Sequence, residues 1–266
     1  MMIYKQAFSL GMQKAMRYRV NFWMDMVSFI FPLCIQYFMW TSVYHSSANK
    51  IIFGYTLGQM LLYAVFAAIT SRLVSISFVG EVNNEIKQGG FAKYLVRPVR
   101  FLPYQGACFL GEKIMNLIFA TLLMVLIGGV FALRYSVQFT ALQFVLYYAS
   151  LILAMVLNYL IYICFCAAGF WLKDGSGAVF IMTLVGNIVS GGIFPIDIFS
   201  RKIQFCLKIL PFSYTTYFPV SIINGNVNRQ GMLTGFGMQV IWIGIMCLIT
   251  TAVWAKGVKN YTAVGG

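Results

Sequence analysis

The groups in this chain that could carry chemistry are few. Asp25, Glu81, Glu85, Glu112, Asp174 and Asp197 are its only carboxylates, and His45 is its only histidine. Acid–base or metal-assisted catalysis needs several such groups converging on one point. His45 stands by itself beside Tyr44 and Ser46 in a short polar stretch, where a histidine is ordinarily solvated. No GxxxxGK phosphate loop, HExxH, GxSxG or paired-aspartate motif occurs. The chain is therefore expected to be no enzyme in itself, and any work against a gradient must draw its energy from a partner. Cys34, Cys108, Cys164, Cys166, Cys206 and Cys247 show no CxxC spacing, and nearly all fall in or beside apolar runs, where cysteine packs as a small hydrophobe. Neither a disulfide framework nor a metal site is indicated.

The elements that hold these residues are set by composition. Hydrophobic residues make up 61% of the 266 and charged residues only 9%, far below the roughly 25% that a water-facing surface requires. Lipid is the main solvent. A bilayer core about 30 Å thick takes about 20 apolar residues per helix. Apolar stretches of that order run over 22–44, 52–79, 106–132, 139–171, 177–194 and 232–254, which predicts an all-α polytopic membrane protein with six transmembrane helices in one domain, 1–266. No repeat period is visible. The net charge of +13 sits in short blocks beside these runs, as expected of segments facing anionic headgroups, and nucleic-acid binding is set aside.

Positively charged short loops stay in the cytoplasm. Placing the N-terminus inside puts Lys14, Arg17, Arg19, Lys93, Arg100, Lys256 and most other cations there, and leaves Lys50, Arg134, Arg201, Lys202, Lys208 and Arg229 outside. Both termini are then cytoplasmic, in the cell's inner (plasma) membrane. Asp25 and Arg72 fall within apolar runs, where a charge costs about 2.5–3.5 kcal/mol at the midplane. Each lies near the inner boundary, so snorkelling or an Asp25–Arg72 pair between the first two spans accounts for them. No row of Asp, Glu and His crosses the membrane as a proton relay would.

Three segments outside the spans have a pattern of their own. In residues 1–20, Tyr4, Phe8, Met12 and Ala15 share one helical face, which predicts an amphipathic helix on the membrane surface, a frayed tail being the alternative. Residues 195–231 place Ile196, Phe199, Ile203, Leu207 and Leu210 at helical spacing against Arg201, Lys202 and Lys208, and Pro211 ends the run too soon for it to span. An interfacial or re-entrant outer segment fits, with a seventh short span as the alternative. In residues 80–100, Glu81, Glu85 and Ile86 belong to a short polar helix stopped by Gly89 and Gly90. A second apolar group with Tyr94 and Leu95 follows, and then the Arg97-Pro98 break. Such an elbow, continuous with two membrane helices, is suited to carrying force from a soluble partner. Gly128-Gly129, Gly186 with Gly191 and Gly192, and Gly231-x-x-x-Gly235 are spaced for close helix packing.

At these residues the chain resembles the integral-membrane permeases of the ABC-2 class, six-helix export subunits of ATP-binding-cassette transporters. The resemblance rests on the acidic helix with Glu81 and Glu85, on Gly89, Gly90, Tyr94 and Leu95, and on Arg97-Pro98. It is extended by the N-terminal elbow helix, by Gly191-Gly192-Ile193-Phe194-Pro195, and by the stretch beginning Leu210-Pro211. It implies a complex of two cytoplasmic ABC ATPase subunits with two permeases, the second identical or related, in the lipid bilayer. ATP and Mg would be bound by the ATPases and no cofactor by this chain. Residues 81–98 would be the coupling elbow, and Gly191, Gly192, Phe194, Pro195 and Pro211 the outer gate. The aromatic and methionine content suits a hydrophobic or amphipathic cargo such as a drug, peptide or lipid, although the same residues are ordinary lipid-facing choices. Two other classes compete. A membrane-embedded lipid-modifying enzyme should gather His, Asp and Glu at one depth, and a secondary transporter should show broken spans with polar midplane residues, for which Asn158 and Asn187 are the candidates.

Overall fold

The computed structural model describes residues 2–17, 19–48, 50–76, 78–96, 100–135, 137, 139–171 and 176–261. Side chains within 15–29 and 95–96 are not among those described, so the Asp25 side of the expected ion pair, the Leu95 side chain, and Arg97 and Pro98 lie outside the described residues, as do Lys173 and Asp174.

The chain is almost wholly helical. An N-terminal helix α1 (Met2–Arg17) is followed by α2 (Arg19–Ser46), a small hairpin of β1 (Ile51–Ile52) and β2 (Tyr55–Thr56), and α3 (Leu57–Val74). The elbow is α4 (Val79–Lys87) and α5 (Ala92–Val96). Then come α6 (Phe101–Tyr135), α7 (Ala141–Cys166) and α8 (Ser176–Val189), the short helices α9 (Arg201–Ile209) and α10 (Tyr217–Ile223), and α11 (Arg229–Asn260). Among the described residues four helical stretches are long and apolar enough to cross a membrane, Leu57–Ile86, Phe101–Tyr135, Ala141–Phe170 and Arg229–Lys259. The apolar part of α8, Phe180–Val189, is shorter. At 1.5 Å per residue the whole of α8 reaches only about 21 Å, less than the hydrocarbon thickness.

Helix starts are set by side-chain caps. Thr56 and Thr140 each accept from the amide three residues on, while Gln59 and Gln143 reach back to the cap's own amide, and Asn228 accepts from the Gly231 amide. These three starts, of α3, α7 and α11, gather with the hairpin at one end of the bundle; α6 begins at the opposite end, beside the elbow. The hairpin turn puts both Phe53 and Gly54 at positive φ, 54° and 85°. That is the twist a two-residue connection requires, and it is unusual for a phenylalanine.

The centre of the bundle is α3, whose Met60, Leu62, Tyr63, Phe66, Ala67 and Thr70 are fully buried, against α7 with Tyr147, Leu151 and Ala154. The Thr70 and Tyr147 hydroxyls meet at 2.8 Å, and Asn158 Nδ2 donates to the Val74 carbonyl at 2.7 Å. Such bonds between helices in lipid contribute on the order of 0.6–2 kcal/mol each. By contrast α6 turns Ile118, Leu122, Val125 and Leu126 outward, and α11 turns out Leu233, Val240, Ile241 and Leu248.

Helix α1 packs along the first turns of α6. Its tightly buried positions are Ala7 and Gly11, a small-residue face, while Tyr4, Phe8 and Met12 are only half-buried. A Cβ at Gly11 would overlap the Cys108 carbonyl, and one at Gly111 the Phe8 carbonyl. The backbones approach this closely only because both positions lack a side chain. The second apolar run, read as 52–79, is helical only to Val74. Ser75 is extended (φ −60°, ψ 151°), its hydroxyl donates to the Arg72 carbonyl, and the chain restarts as α4.

Candidate functional site

Two assemblies stand at opposite ends of the bundle. The first is the elbow. Helix α4 buries Val82, Asn83 and Ile86 and exposes Glu81, so one face docks on the bundle and the other stays free. Gly89, at φ +81°, ends it as a left-handed cap, with the Phe91 amide donating to the Glu85 carbonyl. Gly90 has no positive φ, and a Cβ there would make only ordinary contacts with Glu85, so the two glycines are not equivalent.

Phe91 follows the cap, is 1% exposed, and is ringed by aromatic side chains. Centroids lie at 5.2 Å from Phe101 on α6, 5.4 Å from Phe170 after α7, 5.9 Å from Trp254 and 5.5 Å from Tyr261 at the end of α11, and 5.7 Å from Tyr94. Phe101 and Trp254 stack nearly parallel at 5.1 Å. Edge-to-face pairs of this kind contribute about 0.5–1.5 kcal/mol each beyond area burial. The elbow is thereby wedged into three membrane helices. Salt bridges trim its surface: Lys14 on α1 meets Glu81 at 3.0 Å, and Lys93 meets Glu85. Burial, reinforced by the Glu85 carboxylate, pushes the Tyr94 hydroxyl up to about 12. Between α1, α4 and α6, Lys14, Glu81, Glu85 and Tyr94 line a cleft of about 190 Å3 with Tyr104 and Glu112. Just inside, Lys113 is 4% exposed; its amine donates to the Arg72 carbonyl at 3.3 Å, a cation on the last turn of α3 where the helix dipole favours one.

The second assembly is a plug at the hairpin end. After α8 the chain turns at Gly191 (φ +77°), whose carbonyl accepts from the Tyr63 hydroxyl at 2.7 Å. A Cβ there would crowd both Tyr63 and Tyr217. Gly192 lies beside Ser71, Phe194 meets Trp40 edge-on at 6.2 Å, and Pro195 is buried. Asp197 is then held from three sides. Tyr55 Oη donates to Oδ2 at 2.7 Å, Tyr217 Oη lies 2.8 Å from both carboxylate oxygens, and Lys208 Nζ stands 3.4 Å from Oδ1. Helix α9 exposes almost all of its surface, whereas Pro211 starts a buried turn leading into α10. Helix α10 buries Phe218, Pro219, Val220, Ser221, Ile222 and Ile223 between α3 and α7, and Asn224 Nδ2 donates to the Gln59 carbonyl at 3.2 Å. Gly235 of α11 leaves room for the Phe218 ring.

The structure brings Glu81, Glu85, Gly89 and Tyr94 together in one assembly, and Gly191, Gly192, Phe194, Pro195 and Pro211 in the other. Sequence reasoning passed over the members that tie each assembly to the bundle. Phe91, Phe101, Phe170 and Trp254 read as ordinary apolar residues of separate segments. Asp197 was visible as a carboxylate, but Tyr55, Tyr63 and Tyr217 come from distant positions. The only local signals were Gly54 for the hairpin and the Thr-x-x-Gln boxes for its neighbours. Among the described residues no three His, Cys, Asp or Glu side chains stand together as metal ligands would.

Long apolar helices around a buried apolar core, with polar assemblies at the two ends, define a multi-pass all-α membrane protein. The chain belongs to the family of ABC-2 family transporter proteins, whose sequence profile matches residues 30–265. It is thus a permease subunit of an ABC transporter, a type that pairs with an ABC ATPase. No curated protein matches the chain in sequence.

Proposed function

We propose that this chain is the membrane half of an ATP-driven exporter. Two copies, or one copy and a related permease, form the pathway, and two separate cytoplasmic ATPase subunits bind and split ATP with its magnesium. The chain itself catalyses no bond cleavage. Its cargo is a hydrophobic or amphipathic small molecule, peptide or lipid. The elbow end faces the cytoplasm with both termini, in the inner membrane, which agrees with the positive charge of Lys14, Lys93, Arg100, Lys113, Lys256 and Lys259 around it. Six helices then cross, with α8 completed by the plug as the fifth passage.

The observation that carries this reading is the elbow's construction. Glu81, Glu85 and Lys93 are presented on short helices, while Phe91 locks those helices to α6, α11 and the turn after α7. A push on α4 or α5 is borne by several membrane helices at once, which is what coupling to a nucleotide cycle needs. At the other end the Asp197 knot holds the plug shut, and Gly191, Gly192, Phe194, Pro195 and Pro211 shape the segment that must yield for release. Copurification from native membranes with an ATPase carrying a phosphate loop, and stimulation of that ATPase by this chain, is the expected result. Transport in vesicles without ATP or any partner, or full activity after alanine replacement across 81–94, would overturn it.

A further inference from the structure

Beside the plug lies a crevice of about 100 Å3 between α3, α7 and α8, whose walls set neutral polar groups among the apolar Val74, Ile76 and Phe212. Ser71 and Ser75 line it from α3 and the residue beyond, Asn158 and Tyr162 from α7, Thr183 and Asn187 from α8, and Thr215 and Thr216 from the plug. Among the described residues none that lines it carries a charge, in a chain whose elbow cleft holds Lys14, Glu81, Glu85 and Glu112. The lining is not an accident of loop residues. On α8 and the residue after it, Thr183, Asn187 and Ser190 recur at three- and four-residue spacing with Gly186 between them, whereas Phe180, Ile181, Leu184 and Ile188 are exposed on the adjoining apolar face. Lipid tails give no reason for hydroxyls and amides at this spacing, and polar side chains inside spans mark substrate paths.

The crevice is also deep. Ser71 comes fourteen residues after Leu57, about 21 Å along α3 from the hairpin end at 1.5 Å per residue. Thr216 reaches down to Ser71, the two hydroxyls 3.5 Å apart, so the plug closes the crevice toward the hairpin end. The Tyr162 hydroxyl bonds to Thr183, and Asn158 to the Val74 carbonyl, which fixes the wall before anything enters.

We infer that this crevice receives the head group of an amphiphile, a head that is uncharged and rich in hydroxyl or amide groups, with its apolar chain lying along Phe180, Ile181 and Leu184. This rests on the export reading and narrows its cargo. An ionic head would enter a site without a counter-charge and lose several kcal/mol of hydration. A neutral polyol or amide exchanges its water bonds for those of the wall at little net cost.

The test uses the full chain in lipid nanodiscs and dodecyl glucoside carrying a photoreactive diazirine next to its head. Saturable labelling is expected on the peptides covering residues 176–190 and 212–216. Unlabelled dodecyl glucoside should displace it at concentrations about tenfold lower than dodecanoate or dodecyltrimethylammonium, the equivalent of one or two hydrogen bonds. Thr183→Val combined with Asn187→Leu should reduce labelling about tenfold with helical content retained by circular dichroism, and Thr183→Ser, which keeps the hydroxyl, should retain labelling. Equal displacement by the three amphiphiles, labelling unchanged in the double variant, or labelling spread over the outward faces of α6 and α11 would overturn the inference. Copurification with the ATPase is read on the same preparations. Its survival beside a failed labelling test removes the cargo assignment and leaves the exporter standing, while its absence in the unaltered chain removes the exporter reading itself.

Discussion

The elbow and the plug both tie separate helices together, yet with different forces. At the elbow the tie is a cage of rings about Phe91, non-directional packing in which every member touches several others. Displacing it means opening a cavity, and the cost rises continuously with displacement. At the plug a carboxylate with two tyrosines and a lysine stands beside the Tyr63–Gly191 and Asn224–Gln59 hydrogen bonds. Hydrogen bonds of this kind are made or lost within about an ångström, so the tie at Asp197 is lost over a short displacement. A transporter of the proposed kind needs both properties, a stiff input and a releasable output.

The contrast makes the elbow the more costly place to cut. Phe91→Ala should cost about 3–5 kcal/mol, as for a fully buried aromatic, and should abolish ATPase binding along with thermal stability. Its check is a melting curve beside a pull-down; a melting temperature within a degree of the unaltered chain would show that the cage carries little. Asp197→Asn keeps the shape and removes the charge, and charge-assisted hydrogen bonds contribute about 1.5–3 kcal/mol each. Faster amide exchange across 190–223 with unchanged exchange in 79–96 is expected, and equal acceleration at both ends would erase the distinction between them. Gly89→Ala should lose more than about 1 kcal/mol because of its positive φ, while Gly90→Ala should be close to neutral. Matched thermal melts decide that pair, and equal losses would deny Gly89 its capping role. The smallest effect belongs to Lys14→Gln, whose exposed bridge to Glu81 contributes below about 1 kcal/mol. A large loss of stability there would mean that α1 is held by charge rather than by the Gly11–Gly111 approach.

Much of the frame was legible from residue order. Apolar runs of membrane length announced helices, and Gly89 after a polar stretch announced a cap, because hydropathy and left-handed backbone preference are local properties. The internal order of the bundle was not legible. In lipid an outward-facing leucine costs nothing, so α3 and α6 read alike although α3 is the buried hub and α6 turns one side outward. The expected lipid-facing stripe of Tyr4, Phe8 and Met12 was apparent, whereas the Ala7–Gly11 face that docks on α6 was not, since small residues signal close approach only once the partner's glycine is known. The break at Ser75 escaped notice for a related reason, as serine in an apolar run is compatible with an unbroken helix.

By itself, then, the amino-acid sequence determined the solvent of this protein, the positions of its long helices, and the existence of a polar elbow and of an amphipathic segment before the last helix. All of these follow from interactions within a few residues or with lipid. The tertiary structure alone decided that Phe91 is a hub, that Asp197 is knotted to Tyr55 and Tyr217, and that scattered serines, threonines and asparagines converge on one neutral crevice. Those facts depend on residues far apart in the chain, and rings, hydroxyls and amides carry no local mark of the partner they will meet.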